Sequence, residues 1–265
     1  MSMEFALGQA AARPNAPMSL AQPIGLEALP TPALVLEREA MERNMRKMAD
    51  HLQRSNKGFR PHSKTHKCPT IAALQMDMGA AGVCAAKISE AAIMLAAGIP
   101  SVLITSPIAT FAKARALNAL LAQYPEHQLL MVIDSDQGLA ALQNALDAES
   151  RLGLLVDIDL KMGRTGTREV ETMLRLIDAI ATDERFDFRG IQHYAGHLMH
   201  IEDYAKRRDK SLASWARLDE FFAALEERGI PCDIVTGGGT GTYDVDVAVE
   251  LSLIHISEPT RLDDI

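Results

Sequence analysis

Residues 129–158 read LLMVIDSDQGLAALQNALDAESRLGLLVDI, and this stretch decides the fold. Two short and almost wholly apolar runs, Leu129–Ile133 and Gly153–Ile158, enclose a segment with helical spacing at residues 136–148. Apolar runs without alternation are typical of parallel strands that are buried on both faces. A strand, a helix and a second strand of this kind predict one βαβ unit of a parallel sheet.

The same pattern repeats on both sides of this unit, giving about seven βα units from Gly58 onward. We therefore predict an α/β fold, a (β/α)8 barrel of the TIM type. Seven units are one strand short of this barrel, so it is predicted to be incomplete. A doubly wound sheet is the competing architecture, but the number of units, the short loops and the chain length favour the barrel. The predicted strands are Ala33–Leu36, Gly58–His62, Gly82–Ala85, Val102–Thr105, Leu129–Ile133, Gly153–Ile158, Phe188–His193 and Asp233–Val235.

Two helical stripes of apolar residues are interpreted as core rather than as contacts to a cofactor. Their members recur at the three- and four-residue spacing of one helix face. We expect one helix to carry the first stripe and a single long helix, over residues 203–228, to carry the second. The stripes are Met41, Met45, Met48 and Leu52, and Trp215, Leu218, Phe222 and Leu225.

Composition excludes several classes of protein. The chain has 265 residues, 48% of them hydrophobic, and a formal net charge of -8. An acidic chain without a basic stripe argues against nucleic acid as a partner, and no apolar run approaches the ~20 residues of a membrane span. Three scattered cysteines and no secretory signal predict a reduced, cytoplasmic setting.

The ends of the chain differ from its middle. Residues 1–30 are rich in Ala, Pro and Gln and are interpreted as a loose leader, and residues 31–250 form the barrel unit. Residues 251–265 are interpreted as a non-native tail, because they resemble translated sequencing-adapter read-through at a broken gene end. Leu251–Ile256 is nevertheless apolar enough for an eighth strand. If the tail is foreign, the native eighth strand is missing.

The most reactive group predicted is Lys64, in the octapeptide Arg60–Lys67 (RPHSKTHK) just after the first barrel strand. Neighbouring cations disfavour the charged form of a lysine, and a neutral amine can form a Schiff base with a carbonyl. His62 and His66 flank it. The alternative is a solvated basic turn.

A glycine- and threonine-rich loop, Thr236–Tyr243 (TGGGTGTY), follows Asp233–Val235, the seventh predicted strand counted from Gly58. Glycines allow backbone N–H groups to approach an anion, and barrels often bind phosphate after strands seven and eight. The loop lacks the lysine of a nucleotide P-loop. We therefore predict a phosphate site here, with a flexible turn as the alternative.

Two further loops carry polar side chains at strand ends. In Asp157–Gly166, Arg164 between glycines is either a fixed cation for a ligand or part of a salt-bridged loop in which aspartates cap a turn. In Gln192–His200, Tyr194 is a candidate hydrogen-bond donor to a ligand. The three histidines of that stretch lack the spacing and the Cys or carboxylate partners of a zinc site.

A lysine at the rim, a phosphate loop on a distant strand and an arginine between them suggest pyridoxal 5′-phosphate. The residues also resemble a known family: the alanine-racemase-type fold, fold type III, and within it the D-threonine aldolase, D-3-hydroxyaspartate aldolase and D-serine dehydratase group. The resemblance spans roughly Leu29 to Glu250. It rests on Thr31–Leu36, Arg60–Lys67, Met162–Gly166 and Gly237–Tyr243.

This resemblance implies a role for each motif. It makes Lys64 the Schiff-base lysine, with His62 and His66 as its neighbours. Arg164 and Tyr194 would lie at the cofactor ring. The residues implied for the cofactor phosphate are Gly238, Gly239 and Thr240.

The resemblance also implies an activity and its limits. The reaction expected is metal-assisted retro-aldol cleavage of a D-3-hydroxy amino acid such as D-threonine, with D-serine dehydration as an alternative. A non-catalytic barrel for pyridoxal phosphate homeostasis is another alternative. Family members continue into a β-rich domain that supplies ligands for a divalent metal (Mn, Mg or Zn), so none is expected in this chain. The intact protein is expected to be a homodimer.

Overall fold

The computed structural model describes residues 25–29, 31–249 and 254–256. Eight parallel strands form one sheet, and short apolar runs build most of them, as the sequence predicts. The strands are β1 (Gly58–Phe59), β2 (Val83–Ala85), β3 (Ser101–Ile104), β4 (Gln128–Ile133), β5 (Leu152–Asp157), β6 (Phe186–His193), β7 (Ile234–Gly237) and β8 (Ile254–Ile256).

Helices alternate with the strands. Two 3-10 turns, Leu26–Ala28 and Gly196–His200, add to them. The helices are α1 (Arg38–Arg54), α2 (Pro69–Asp77), α3 (Ile88–Ala96), α4 (Phe111–Gln123), α5 (Asp136–Gln143), α6 (Val170–Ala181), α7 (Tyr204–Ala216), α8 (Asp219–Glu227) and α9 (Tyr243–Asp246).

The sheet closes into a barrel. Its strand order is β1-β8-β7-β6-β5-β4-β3-β2. The extension of β1 pairs with β2 through a bridge between His62 and Cys84. The Cys84 N–H donates to the Pro61 carbonyl at 2.8 Å, and the Ser63 N–H donates to the Cys84 carbonyl at 2.8 Å. Fold class and barrel architecture are therefore confirmed.

The predicted core stripes are buried except at Phe222, which is partly buried while its neighbour Phe221 is fully buried. Met41, Met45, Met48 and Leu52 face the barrel from α1. The predicted single helix over residues 203–228 is wrong in one respect, because a turn at Arg217–Leu218 divides it into α7 and α8. Leu218 at that turn is nevertheless fully buried, so the division keeps the apolar side chains on the core.

The predicted strand Ala33–Leu36 is wrong. These residues belong to no strand, and the side chain of Leu34 is 91% exposed. A β-branched and apolar run becomes a strand only where a neighbouring strand accepts its hydrogen bonds. Among the residues that the structure describes, no strand pairs with this segment.

The eighth strand of the sheet, β8, belongs to residues 251–265, which the sequence analysis interpreted as a non-native tail. β8 lies between β7 and β1, with Gly237 opposite Ile256 and Gly58 opposite His255. The residues of β8 lie in the segment predicted to be a non-native tail, so the absence of the native eighth strand stays a prediction. β8 has only three residues, and the rest of the predicted tail lies outside the described residues, as does most of the predicted leader.

No helix within the described parts of the chain is both long enough and apolar enough to cross a membrane.

Candidate active site

The interior of the barrel changes from apolar to polar toward the carboxyl ends of the strands. Side chains two residues apart on a strand point to the same side. Thr105, Asp157 and Thr236 therefore continue the inward-facing rows of Leu103, Leu155 and Ile234. The apolar inner layer consists of Cys84, Leu103, Leu130, Val132, Leu155 and Ile234.

A pocket of about 100 Å³ lies on this polar layer, at the end of the barrel where catalytic groups of TIM-type enzymes are found. It brings together four of the predicted site residues, Lys64, His62, Arg164 and Tyr194, and Gly237 at the start of the glycine loop. Its other lining residues are Ala86, Thr105, Ser106 and Gln192.

Tyr194 lies between the two cations of the pocket. The Lys64 Nζ is 5.6 Å from the centroid of the Tyr194 ring, and the Arg164 guanidinium carbon is 5.4 Å from it. A cation within about 6 Å of an aromatic ring is attracted to it electrostatically. The ring thus attracts both positive side chains, which come from loops 100 residues apart in sequence.

His62 is a neutral wall of the pocket. Its Nδ1 accepts a hydrogen bond from the Lys64 backbone N–H at 3.2 Å, so its proton is on Nε2, which lies 3.1 Å from the Thr105 hydroxyl. Burial, with the Lys64 charge as a further cause, lowers the pKa of His62 to about 3. The imidazole therefore fixes the backbone of the lysine and adds no positive charge beside it.

His66 lies outside the pocket lining. Its Nδ1 accepts from the Cys68 N–H at 3.0 Å, and burial lowers the pKa of its ring below the usual value. The two histidines thus support the turn around Lys64 from both sides. Both histidines flank Lys64 in the folded chain, but only His62 lines the pocket.

The Arg164 loop is built around Asp159. The Asp159 carboxylate accepts from the backbone N–H groups of Met162 and Gly163 and from the Arg168 guanidinium at 2.7 Å. Burial alone would raise the pKa of Asp159, but these donors hold it below the usual value. The capped, salt-bridged turn predicted as an alternative is present, and it leaves Arg164 at the pocket.

The glycine loop is shaped by close backbone contacts. A Cβ on Gly237 would lie 2.1 Å from the His193 carbonyl oxygen, and Gly238 has a φ of +79°, which favours glycine. A Cβ on Gly239 would lie 2.8 Å from the Met199 Sδ and 3.5 Å from the Tyr194 ring. The loop therefore passes beside Tyr194, which lines the lysine pocket. Gly238, Gly239 and the partly buried Thr240 are not among the lining residues of that pocket.

A buried carboxylate, Asp246, holds the far end of this loop. It accepts from the Thr242 hydroxyl at 2.6 Å, from the Ser211 hydroxyl at 2.6 Å and from the Trp215 indole N–H at 3.0 Å. Burial raises the pKa of Asp246 above its usual value. Sequence reasoning missed this residue, because nothing local indicates that Trp215 of α7 would donate to it.

A second buried carboxylate, Asp157, lies in the polar layer beneath the pocket. Its Oδ1 accepts from the Gln192 side-chain amide at 2.9 Å, and its Oδ2 accepts from the Thr165 hydroxyl at 2.8 Å. Burial is the main reason that its pKa is raised, to about 6. Asp157 and Gln192 were missed as functional candidates, although their inward position follows from strand alternation.

The histidines after β6 do not form a metal site. His193 turns away from the pocket, with its Nε2 2.8 Å from the Ser214 hydroxyl on α7. Within the parts of the chain that the structure describes, no three His, Cys, Asp or Glu side chains lie close enough together to hold a metal ion.

A larger, open cavity of about 630 Å³ lies at the other end of the barrel, beside Gly58, Phe59 and Lys57. It contains none of the predicted site residues. This cavity lies at the amino ends of the strands, whereas TIM-type barrels have their active sites at the carboxyl ends. We therefore assign the ligand to the smaller pocket.

The chain resembles enzymes of known activity. It is 35% identical over 217 residues to a 3-hydroxy-D-aspartate aldolase of Paracoccus denitrificans (strain Pd 1222), a match covering 80% of this chain and 55% of the relative. It is 34% identical over 231 residues to a D-threonine aldolase of Arthrobacter sp, covering 84% of this chain and 58% of the relative. The chain thus spans a little over half the length of these curated relatives.

Structure and sequence give the same assignment. The crystal structure of D-threonine aldolase from Filomicrobium marinum superposes with a TM-score of 0.82 at 33% identity, covering 88% of this chain and 62% of that one. Residues 36–248 match the family described as "Alanine racemase, N-terminal domain". This chain belongs to the alanine racemase N-terminal domain family.

Proposed function

We propose that this chain is the pyridoxal 5′-phosphate-binding barrel of a lyase that cleaves D-3-hydroxy amino acids, of the D-threonine aldolase type. The observation that carries the proposal is the convergence of Lys64 and Arg164 on the Tyr194 ring, in a pocket that opens onto the glycine loop. Membership of the family and the resemblance to aldolases support the same reaction class.

The residues of the pocket fit this cofactor. Pyridoxal 5′-phosphate supplies an aldehyde that condenses with amines and a ring that accepts an electron pair. Lys64 provides the amine, and the glycine loop after β7, where Gly238 has a φ of +79°, offers backbone N–H groups for a phosphate. The roles of Lys64, Gly238, Gly239 and Thr240 remain proposals.

The remaining side chains orient the ligand. Arg164 provides a permanent charge and several donors at the rim, and Tyr194 provides a phenol beside both cations. His62 accepts a hydrogen bond from the Lys64 backbone N–H. Because its imidazole is neutral at physiological pH, it does not compete with Lys64 and Arg164 for the negative groups of the ligand. Together these groups favour a small anionic amino acid derivative.

A divalent metal does not fit the residues described. No cluster of three His, Cys, Asp or Glu side chains that could hold a metal ion lies within residues 31–249. We propose that Mn, Mg or Zn, if the intact protein uses one, binds ligands from outside this chain. We also propose that the intact protein is a cytoplasmic homodimer, that residues 31–250 are its native barrel unit, and that residues 251–265 are a non-native tail.

The first test compares two neighbouring lysines. Lys64→Ala is expected to abolish the absorbance near ~420 nm that develops when a lysine amine joins the cofactor aldehyde. Lys67→Ala is the matched control, because Lys67 is also exposed and pairs with Glu90 at 3.4 Å instead of facing the pocket. It should retain the band.

The activity is tested on the chain lengthened to the size of its relatives. Release of glycine and an aldehyde from D-threonine, lost in Lys64→Ala and kept in Lys67→Ala, is the expected result. Formation of a 2-oxo acid and ammonia from D-serine would instead favour the dehydratase. Cofactor binding with neither reaction would favour the non-catalytic barrel, and a full-strength band in Lys64→Ala would refute the lysine assignment.

A further inference from the structure

The floor of the pocket contains one amide whose orientation is determined by its neighbours. Gln192 on β6 lies opposite Asp157 of β5 in the parallel register, so the two side chains share the inner side of the barrel. The Gln192 Nε2 donates to the Asp157 Oδ1 at 2.9 Å and to the Thr105 backbone carbonyl at 3.4 Å. Both hydrogens of the amide nitrogen are therefore directed into the barrel wall.

The opposite orientation of this amide is unfavourable. Rotation by 180° would place the Gln192 Oε1 against a carboxylate oxygen of Asp157 and the Thr105 carbonyl oxygen, which are both acceptors. The Thr165 hydroxyl donates to the second oxygen of Asp157 at 2.8 Å, which leaves the first oxygen to accept from Gln192. The carbonyl end of the amide is thus the end that remains for the pocket.

The Gln192 Oε1 is available to a ligand. Gln192 is among the residues that line the pocket, and its Oε1 accepts no hydrogen bond from the part of the chain that the structure describes. Two other polar groups of the floor bond to each other or to the backbone. His62 Nε2 lies 3.1 Å from the Thr105 hydroxyl, which donates to the Ala85 carbonyl at 3.3 Å.

The pocket therefore has an asymmetric pattern of donors and acceptors. Its rim carries donors and positive charge, on Lys64, Arg164 and Tyr194, whereas its floor presents the neutral amide oxygen of Gln192. A complementary ligand has negative or accepting groups toward the rim and a single N–H donor toward the floor. Pyridoxal 5′-phosphate has phosphate and phenolate oxygens, and its protonated ring nitrogen is the only N–H donor of the ring.

We propose that the Gln192 Oε1 accepts a hydrogen bond from the ring nitrogen of the cofactor, and that Asp157 is the positioning residue that keeps the amide oxygen turned toward it. This inference rests on the proposed function, because it assumes the same cofactor in the same pocket. A neutral amide in this place accepts a hydrogen bond from the ring N–H without adding a negative charge, in contrast to a carboxylate.

The test compares four affinities, those of two ligands for the original chain and for one variant. Binding of pyridoxal 5′-phosphate and of its analogue with C–H in place of the ring nitrogen is measured by absorbance titration of the 265-residue chain and of Gln192→Leu. The variant is expected to bind the normal cofactor roughly tenfold more weakly, as for the loss of a hydrogen bond to a charged group. It should bind the analogue as the original chain does.

Controls separate this role from packing. Gln143→Leu replaces a partly buried glutamine that lies on α5 outside the pocket, and it should leave both affinities unchanged. Gln192→Met retains side-chain length without the amide and should reproduce Gln192→Leu if that variant folds poorly. Asp157→Leu should reduce the preference for the normal cofactor over the analogue, because the amide is then free to rotate.

The outcomes distinguish the two proposals. An equal loss of affinity for both ligands in Gln192→Leu and Gln192→Met, or no loss for either, would overturn the hydrogen bond while the band near ~420 nm still supports Lys64. If the original chain binds neither ligand and develops no band, then both the proposed function and this inference fail.

Discussion

Individual buried residues determine how the site is charged. His62 is held neutral by burial beside Lys64, whereas Asp157 is a carboxyl whose pKa is raised to about 6 by burial. Asp134 raises the pKa of Asp157 further, and Arg164 opposes this. The electrostatic character of the pocket therefore depends on solvent exclusion more than on the number of charges in the sequence.

These residues predict how stability depends on pH. Buried His62, His66 and His193 have lowered pKa values, so on acidification below about 6.5 the unfolded chain binds protons that the folded chain does not, and stability falls. Asp157 acts in the opposite direction. Between about pH 6 and pH 4 the folded chain protonates Asp157 before the unfolded chain does, which adds stability as the pH falls.

Asp157→Asn is therefore expected to make the loss of stability between pH 7 and pH 5 larger than in the original chain. Urea denaturation at several pH values measures this difference. Gln137→Asn, an exposed substitution that adds or removes no titratable group, is the control and should leave the pH dependence unchanged. A shallower dependence in Asp157→Asn would contradict the buried, proton-binding carboxyl.

Elements position the site by bringing strand ends together. β5, β6 and β7 run in parallel register, so Asp157, Gln192 and Thr236 are neighbours although they belong to different βα units. The glycine loop leaves β7 directly, and Asp246 holds its far end to α7 through Ser211 and Trp215. Its path depends on contacts at both ends.

The glycines of this loop are expected to differ in their tolerance of a side chain. Gly237→Ala places a Cβ 2.1 Å from the backbone oxygen of His193, so β7 must move away from β6, and we expect a loss of about 2–3 kcal/mol in the free energy of unfolding. Gly239→Ala meets only the flexible end of Met199 and should lose less than about 1 kcal/mol. Chemical denaturation of both variants measures the difference, and equal losses would contradict this account.

The described residues form a closed barrel in which β8 is short. β8 connects β7 to β1 with three residues, so the closure depends on few hydrogen bonds. Sheet edges left unpaired promote association between chains. The barrel therefore has a weak point between β1 and β7, on the side opposite the well-paired β3–β6 region.

A chain ending at residue 250 is expected to melt at a temperature lower by roughly 5 °C or more and to associate at high concentration. The reason is that it loses the ladders to β7 and β1, at about 1 kcal/mol for each hydrogen bond. A chain ending at residue 256 is the matched control, since it retains β8. Equal melting temperatures by scanning calorimetry would mean that the eighth strand contributes nothing to the barrel.

The sequence predicted the parts of this protein that depend on local patterns. The strands of the barrel, the Met stripe of α1 and the place of Lys64 just after the first barrel strand follow from spacing over a few residues. The Ala33–Leu36 strand was wrong because strand formation requires a partner that local spacing cannot supply. The division between α7 and α8 has no glycine or proline to indicate it.

The sequence by itself therefore determined the barrel class, its family and the positions of Lys64, Arg164 and Tyr194 just after strand ends. Only the tertiary structure decided which of those side chains meet. The pairing of Gln192 with Asp157, the neutrality of His62 and the attachment of Asp246 to Trp215 arise from residues that are distant in sequence. Their physical cause is burial, because removal from water makes each polar group depend on the partners that the closed barrel provides.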